Sequence, residues 1–159
     1  IALACNPHLL LADEPTTALD VTIQAQVLDL IEKLKKEMGT SVILITHDLG
    51  VVAKSCDRAA VLYGGKIMEC GNKEQIFTRA KHPYTIGLFE SLPDLNSRAK
   101  RLKPIPGLPL NPMEKPEGCP FYERCSRRTE ACRGEIPTVE IEPGHLVCCT
   151  QIGTEREET

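Results

Sequence analysis

Apolar and polar residues along the first third of the chain predict a strand, a helix and a second strand. HLLLAD, residues 8–13, is a short apolar run of the length that a parallel strand buried on both faces shows. From Asp20 the apolar residues recur at helical spacing, and Gly39 closes that segment. SVILIT, residues 41–46, is rich in β-branched residues and predicts the next buried strand. A strand, helix and strand of this size form a right-handed crossover unit of a parallel sheet.

The pattern continues with a short helix and a hairpin. A helix is predicted at residues 49–54, and the alternating strings RAAVLY and KIMEC then flank Gly64 and Gly65. Two glycines between two strand-like runs are a signal for a two-residue hairpin turn. Residues 1–92 therefore predict an α/β fold with an antiparallel hairpin at its end.

The composition changes after Leu92. Seven prolines fall between residues 93 and 120 and deny the backbone regular hydrogen bonding. Residues 119–149 then contain five cysteines and few apolar residues, so we expect something other than hydrophobic burial to hold this segment. We predict three parts: a first domain at 1–92, a proline-rich linker at 93–118 and a cysteine-rich extension at 119–159.

Charge and length exclude several classes of protein. A net charge of −3 and a pI near 5.8 give no basic face for binding nucleic acid. No apolar run approaches the roughly 20 residues that a membrane-spanning helix needs, and no leader precedes the first segment. We expect a soluble protein that reaches a membrane only through a partner. The opening string IALAC is typical of a helix already under way, so we also expect a fragment.

The string LLLADEPTTALD, residues 9–20, carries the most informative chemistry. Asp13 and Glu14 end a predicted strand, so both carboxylates lie at the sheet edge where open α/β folds bind their ligands. One carboxylate can hold Mg²⁺, which keeps several waters and needs few protein ligands beside phosphate oxygens. The other can orient or deprotonate a water that attacks a phosphate. Taken alone, such a pair is usually a solvated strand end.

DEPT, ALD and THD, in this order, resemble the Walker B strand, the D-loop and the switch histidine of ABC transporter ATPases. The resemblance implies that Asp13 binds the metal ion and that Glu14 is the catalytic base. It also implies that Asp20 is the D-loop carboxylate that communicates across an ATPase dimer, and that His47 contacts the γ-phosphate of ATP. A lone histidine after a strand is usually structural, so the assignment depends on the three motifs together.

The rest of the chain is similar to the C-terminal extension of ATPase subunits from oligopeptide, dipeptide and nickel importers. The matching strings include KHPYTIGLFESLP, IPGLPLNPMEKPEGCPFYERC and PGHLVCC. The two resemblances cover nearly the whole chain and imply the C-terminal part of a P-loop ABC ATPase domain, followed by a small irregular cysteine-rich metal-binding domain. We interpret His82, Pro83 and Tyr84 as a helix start that packs on the ATPase domain and not as a ligand site.

Several motifs of this family do not occur in the sequence. The phosphate-binding Gly-rich loop with its lysine, the adenine-stacking aromatic residue, the Q-loop and the LSGGQ-type signature are absent from residues 1–159. The backbone amides of the phosphate loop supply most of the energy for binding the anion. We therefore expect residues 1–159 alone to bind ATP weakly and to hydrolyse it negligibly.

Four cysteines form a candidate metal centre: Cys119, Cys125, Cys132 and Cys149. Structural zinc sites usually include two cysteines that are two to four residues apart, which this set lacks. Four thiolates in a loop-rich segment suit a [4Fe–4S] cluster or zinc. The resemblance favours the cluster over zinc. Reduced thiols or disulfides, without a metal, are a third hypothesis. The family pattern HxVxC selects Cys149 over Cys148 as the fourth ligand. We expect the charge of the arginines that lie among these residues to ease thiolate formation: Arg124, Arg127, Arg128 and Arg133.

The leading hypothesis is an ATP-hydrolysing subunit that energises peptide import, with ATP and Mg²⁺ as its ligands. The resemblance implies a second ATPase subunit and transmembrane permease subunits as partners at the cytoplasmic face of the membrane, with an extracytoplasmic peptide-binding protein as an indirect partner. The alternative is a non-enzymatic metal-binding or interaction module in which only the cysteine-rich part works. A soluble ABC ATPase of translation or repair lacks support, because the tail matches importers.

Overall fold

The computed structural model describes residues 6–92, 103–111, 113 and 116–152. Its contacts group the chain into two compact units, Ile1–Asp57 and Arg58–Thr159. This grouping differs from the predicted division at residues 92 and 118, because strands from both sides of residue 92 share one sheet.

The first unit contains the predicted strand, helix and strand, followed by the short helix. Its elements in chain order are β1 (Leu9–Asp13), α1 (Val21–Met38), β2 (Ser41–Ile45) and α2 (Leu49–Ser55). β1 and β2 pair in parallel, with Asp13 opposite Ile45 at their carboxyl ends. The turns that follow the two strands therefore leave the sheet at the same edge.

Helix α1 begins and ends at the residues that the sequence predicts. Asp20 is the N-cap, and its side chain accepts hydrogen bonds from the backbone N–H groups of Thr22 and Ile23, both at 3.0 Å. Gly39 closes the helix in the left-handed conformation, with φ at 65°. Within the described residues, no helix is both long and apolar enough to cross a membrane.

The two strands of the first unit are more exposed than the sequence predicts. Leu9 is 49% exposed, Leu11 64%, Ile43 49% and Ile45 51%. Ala12, on the opposite face of β1, is buried. The expectation that both faces are buried is wrong for the residues that the structure describes, since those residues cover only one face of a two-stranded sheet.

The second unit is built on a four-stranded antiparallel sheet with the strand order β3-β4-β6-β5. Its elements in chain order are β3 (Arg58–Tyr63), β4 (Lys66–Asn72), α3 (Lys73–Thr78), α4 (Pro83–Glu90), two short 3₁₀ helices (Tyr122–Arg124 and Glu130–Arg133), β5 (Thr138–Glu142) and β6 (His145–Cys148). Gly64 and Gly65 join β3 to β4 with φ values of 55° and 77°. Such positive angles suit the two-residue hairpin turn that the sequence predicts.

The cysteine-rich segment shares this sheet and its core. β6 pairs with β4, with Val147 opposite Glu69. Phe121 is buried beside Met68, and its ring lies 5.5 Å from Tyr63 and 5.2 Å from the Tyr84 ring between centroids. The expectation that hydrophobic burial does not hold this segment is therefore wrong, because residues before Leu92 supply the other half of its core.

Helix α4 starts at the HPY string, as predicted. His82 is the N-cap, Pro83 occupies the first turn, and the backbone N–H of Tyr84 donates to Nδ1 of His82 at 3.0 Å. Proline suits this place because the first N–H groups of a helix have no partner within it.

Candidate functional site

The first candidate site lies in the turns that follow β1 and β2. Glu14 comes directly after β1, and its backbone N–H donates to the carbonyl oxygen of Ile45 at 2.9 Å. Its φ of 46° places it in the left-handed region, which costs a non-glycine residue about 1–3 kcal/mol and is common at functional sites. Asp13, one residue earlier, is exposed at the end of the strand.

Glu14 and His47 form the centre of this site. Nδ1 of His47 lies 2.8 Å from Oε1 of Glu14. Because an ionised carboxylate only accepts hydrogen bonds, the imidazole donates through Nδ1. The hydrogen bond with His47, aided by one from Thr17, lowers the pKa of Glu14. The same hydrogen bond, together with the carboxylate charge, raises the pKa of His47.

Thr17 is a residue of this site that sequence reasoning missed. Its hydroxyl donates to Oε2 of Glu14 at 2.7 Å, so the two carboxylate oxygens have different partners. The turn that brings Thr17 back is closed by its backbone N–H, which donates to the carbonyl oxygen of Glu14 at 3.1 Å. A hydroxyl residue three positions after the carboxylate is the signal that could have indicated this contact.

Asp20 has a structural role in the described residues. Oδ1 of Asp20 accepts the two hydrogen bonds that cap α1. Among the residues described by the structure, no hydrogen bond joins Asp20 to Glu14 or His47. Its expected role across an ATPase dimer stays a prediction.

The second candidate site is a pocket in the second unit. Cys119, Cys125, Cys132 and Cys149 all line it, so the four predicted metal ligands come together there. We call this cleft the cysteine pocket. Cys148 is not among its lining residues, and its Sγ lies 3.9 Å from the carbonyl oxygen of Ile136. Within the described part of the chain, no three histidine, cysteine or acidic side chains are grouped closely enough to hold one metal ion.

One backbone amide donates to a sulfur atom of the cysteine pocket. The N–H of Gln151 donates to Sγ of Cys149 at 3.4 Å. The backbone amides of Phe121, Arg127 and Gln151, each two residues after a cysteine, act to lower the pKa values of Cys119, Cys125 and Cys149, although burial has the larger effect. Hydrogen bonds of this kind stabilise charge on sulfur.

The four thiols differ in their ionisation. Burial raises the pKa of Cys119 to about 11, and burial also raises the pKa values of Cys125 and Cys149. Burial acts in the same direction on Cys132, but the hydrogen bond with Thr150, at 3.1 Å, and others from Thr129 and Gln151 together lower its pKa. Three of these thiols therefore hold their protons more tightly than an ordinary cysteine, and Cys132 holds its proton less tightly.

The arginines divide into two pairs. Arg127 and Arg128 line the cysteine pocket. Arg124 instead donates to the carbonyl oxygens of Ile105 and Pro106 at 3.1 and 3.0 Å. Arg133 binds Glu130 at 3.3 Å and lies over the Tyr122 ring. The expectation that all four arginines ease thiolate formation is therefore wrong for two of them. Arg127 and Arg128 lie at the pocket, whereas Arg124 and Arg133 bind groups in the neighbouring loops.

His82 also lines the cysteine pocket. It is 1% exposed, and burial lowers its pKa to about 4 against the opposing charge of Glu69. The imidazole is therefore neutral near pH 7. Sequence reasoning found the helix start at this residue but missed its place beside the cysteines, because only the tertiary fold brings residue 82 to that pocket.

Glu69 is a second residue that the sequence did not single out. The carboxylate is fully buried and accepts hydrogen bonds from the backbone N–H groups of Lys81 and His82, at 2.8 and 3.1 Å, and from Nε2 of His145 at 2.8 Å. It therefore joins β4, β6 and the segment that leads into α4. A glutamate in a predicted strand is expected to face solvent, so the sequence pattern did not indicate that Glu69 is buried in this hydrogen-bond network.

Most of the chain is similar in sequence to known transport proteins. Residues 68–132 match the family model described as oligopeptide/dipeptide transporter, C-terminal region. The chain is 48% identical over 149 residues to the oligopeptide transport ATP-binding protein OppD of Salmonella typhimurium, and 53% identical over 149 residues to its counterpart in Haemophilus influenzae. It is 49% identical over 150 residues to the dipeptide transport ATP-binding protein DppD of Bacillus subtilis.

These matches cover most of the chain but less than half of each relative. The aligned region includes 94% of this chain in all three cases, and 44%, 46% and 45% of the three relatives in the same order. The match runs through the Glu14 and His47 turns as well as the cysteine pocket. Over 94% of its length the chain is therefore similar to ATP-binding proteins of oligopeptide and dipeptide transport, and its residues 68–132 match the C-terminal region of an oligopeptide/dipeptide transporter family.

Proposed function

We propose that this chain is the part of an ATP-binding subunit that carries the hydrolytic residues and that energises peptide import. The observation that supports this most is the Glu14–His47 pair at the shared edge of two parallel strands, with Oε1 and Nδ1 2.8 Å apart. The names of the relatives, which are peptide transport ATP-binding proteins, agree with it. They do not favour the alternative of a non-enzymatic metal-binding module.

In this proposal each residue of the first site has a distinct task. MgATP supplies the phosphate that is hydrolysed, and Asp13 is the carboxylate that holds the ion. Glu14 accepts a proton from the attacking water, and its lowered pKa keeps it ionised for that purpose. His47 orients Glu14 through Nδ1, and in the imidazolium form, which its raised pKa favours, Nε2 also carries a proton that it can donate to the γ-phosphate. Thr17 holds the second oxygen of the carboxylate.

The partners follow from the family. ATP-binding subunits of peptide importers work with transmembrane permeases, so we propose that this subunit lies at the cytoplasmic face of the membrane against such permeases. A second ATPase subunit would meet it near Asp20, and a peptide-binding protein outside the membrane would act through the permease. The chain spans less than half the length of these relatives.

Mutation of Glu14 in the full-length subunit tests the hydrolytic role. Glu14→Gln should keep ATP binding and lower kcat about 10²-fold or more, because the amide keeps the shape but cannot take the proton. Glu37→Gln is a matched control, since Glu37 is an exposed carboxylate on α1 paired only loosely with Lys33 at 3.8 Å. Hydrolysis by Glu14→Gln at the unmutated rate would reject the assignment.

We further propose that the cysteine pocket holds a [4Fe–4S] cluster, with zinc as the alternative. The four cysteines line one pocket, and the backbone N–H of Gln151 donates to the sulfur of Cys149. Tetrahedral zinc requires four ligands about 2.3 Å from a single point. A cluster instead takes one cysteine at each iron. The four cysteines that line the pocket would supply one thiolate to each iron of such a cluster.

Metal analysis after anaerobic purification tests this centre. Iron and sulfide in equal amounts, with a broad visible absorption, are expected for the wild-type subunit. Cys149→Ser should lose the iron, and Cys148→Ser, a matched control on the neighbouring residue outside the pocket, should keep it. Stoichiometric zinc without iron would contradict the cluster.

A further inference from the structure

His82 reaches the cysteine pocket with one polar atom uncommitted. Its backbone N–H donates to Oε2 of Glu69 at 3.1 Å, and its Nδ1 accepts from the backbone N–H of Tyr84 at 3.0 Å. Nε2 has no hydrogen-bond partner among the residues that the structure describes. His82 lines the cysteine pocket together with the four cysteines, so Nε2 belongs to a residue that borders the proposed ligands.

The helix cap decides which chemistry Nε2 offers. A neutral imidazole has one N–H and one bare nitrogen. Because Nδ1 accepts the N–H of Tyr84, it is the bare nitrogen, and the proton is on Nε2. The free nitrogen of His82 therefore carries a hydrogen-bond donor and not a lone pair, so His82 is not a further metal ligand in this tautomer.

The ring is held firmly in this orientation. The side chain is 1% exposed, and the ring centroid lies 6.1 Å from that of Phe121. Glu69 is fully buried and anchors the His82 backbone while it also binds His145. A donor fixed by packing and by a second layer of hydrogen bonds acts on its target without first having to be ordered.

We propose that the Nε2–H of His82 donates a hydrogen bond to a sulfur atom of the group held in the cysteine pocket. This inference rests on the proposed metal centre. Four thiolates give such a group a negative charge, and a donor aimed at a sulfur stabilises that charge. Hydrogen bonds to the sulfurs are among the factors that set cluster reduction potentials. The His82 donor therefore favours the reduced cluster and raises its potential.

Two substitutions separate this role from the helix cap. His82→Asn keeps a good N-cap, since asparagine can accept the Tyr84 N–H, but its short amide does not extend to the pocket. His82→Gln has a longer side chain that can present an amide N–H near the position of Nε2, while glutamine is a poor N-cap. Loss of the helix cap should therefore appear in His82→Gln, and loss of the hydrogen-bond donor should appear in His82→Asn.

The experiment is a redox titration of anaerobically purified full-length subunit, with iron content and melting temperature measured on each sample. We expect His82→Asn to keep its iron and melting temperature and to show a more negative reduction potential than wild type. His82→Gln should keep the wild-type potential more closely and melt at a lower temperature.

The outcomes are distinguishable. Wild-type protein without iron would overturn the proposed cluster and this inference with it. An iron-loaded His82→Asn protein with the wild-type potential would overturn the inference alone, and so would complete loss of iron from His82→Asn, because His82 would then act as a ligand. Detection of the Nδ1–H tautomer of His82 by ¹⁵N NMR would overturn it as well.

Discussion

The two units of the chain hold their reactive side chains in opposite ways. In the first unit the side chain of His47 is 83% exposed and that of Glu14 is 38% exposed. In the second unit His82 is 1% exposed, and both Glu69 and His145 are fully buried. The first site is thus an open pair on a turn, while the second is enclosed by its own core.

This difference shows where each site obtains its precision. The Glu14–His47 pair is held by one tight turn and by Thr17. The cysteine pocket has its four cysteines and its buried histidine within one compact unit. We expect substitutions near the pocket to affect folding, and substitutions at the open pair to affect chemistry with little effect on folding.

Removal of the buried carboxylate should produce the largest loss of stability. Glu69→Ala leaves the imidazole of His145 and two backbone N–H groups without their acceptor, and breaking a buried pair in this way costs about 3–5 kcal/mol. Glu74→Ala is the matched control, because its ion pair with Arg79 is exposed and 3.8 Å long. Urea unfolding measures the free energy of unfolding of both variants. Equal losses of stability in Glu69→Ala and Glu74→Ala would contradict the importance of the buried network.

A methyl group at Gly118 should distort the cysteine pocket. The added Cβ would overlap the carbonyl oxygen of Cys132 and lie 2.6 Å from the carbonyl carbon of Arg133. Gly118→Ala should therefore cost about 1–3 kcal/mol and reduce bound iron. Gly134→Ala is the control, because its nearest contact, the oxygen of Ala131, lies 3.8 Å from the added atom. Full iron and full stability in Gly118→Ala would show that the backbone can yield.

Loss of the α1 cap should have a smaller effect. Asp20→Ala removes the acceptor of the Thr22 and Ile23 N–H groups and should cost about 1 kcal/mol. Asp20→Asn keeps an N-cap and should retain most of the stability. If Asp20 also acts across an ATPase dimer, Asp20→Asn should still lower ATP hydrolysis by the full-length subunit. Unchanged hydrolysis would show that Asp20 serves only as the N-cap of α1.

The contact between Glu14 and His47 should be detectable as a shifted pKa of His47. The raised pKa of His47 means that the protonated contact with Glu14 is present below its ordinary value of 6.5 and is lost as the pH rises through the raised value. On the acid side, the contact is lost as the pH falls through the lowered pKa of Glu14. NMR titration should place the His47 pKa above 6.5 in wild type and nearer to it in Glu14→Gln. Thr17→Ala should leave the shift of His47 largely in place.

Local patterns in the sequence predicted the first unit well. Asp20 and Gly39 mark the ends of α1 by their own side-chain and backbone chemistry, so no distant contact is needed to place them. The exposure of Leu11 and Ile43 could not be predicted, because the sequence pattern of a buried strand does not say which part of the protein covers it.

The second unit depends on contacts between distant residues. Glu69 pairs with Val147 across the proline-rich segment, and no local signal joins these two positions. The motif alone predicted Glu14, His47 and the four cysteines as candidates. The sequence did not indicate the roles of Thr17 and Glu69 or the position of His82 at the pocket. Each of these depends on contacts with residues that only the folded chain brings close.

A double-mutant cycle on Glu14 and His47 in the full-length subunit tests the central claim most directly. In the proposed mechanism Glu14 and His47, which are 2.8 Å apart, act as one catalytic unit, so their substitutions should give non-additive losses. We predict that Glu14→Gln and His47→Ala each abolish most ATP hydrolysis while ATP binding persists, and that the double variant is no slower than the slower single variant. Losses that multiply in the double variant, or rapid hydrolysis by either single variant, would contradict the account.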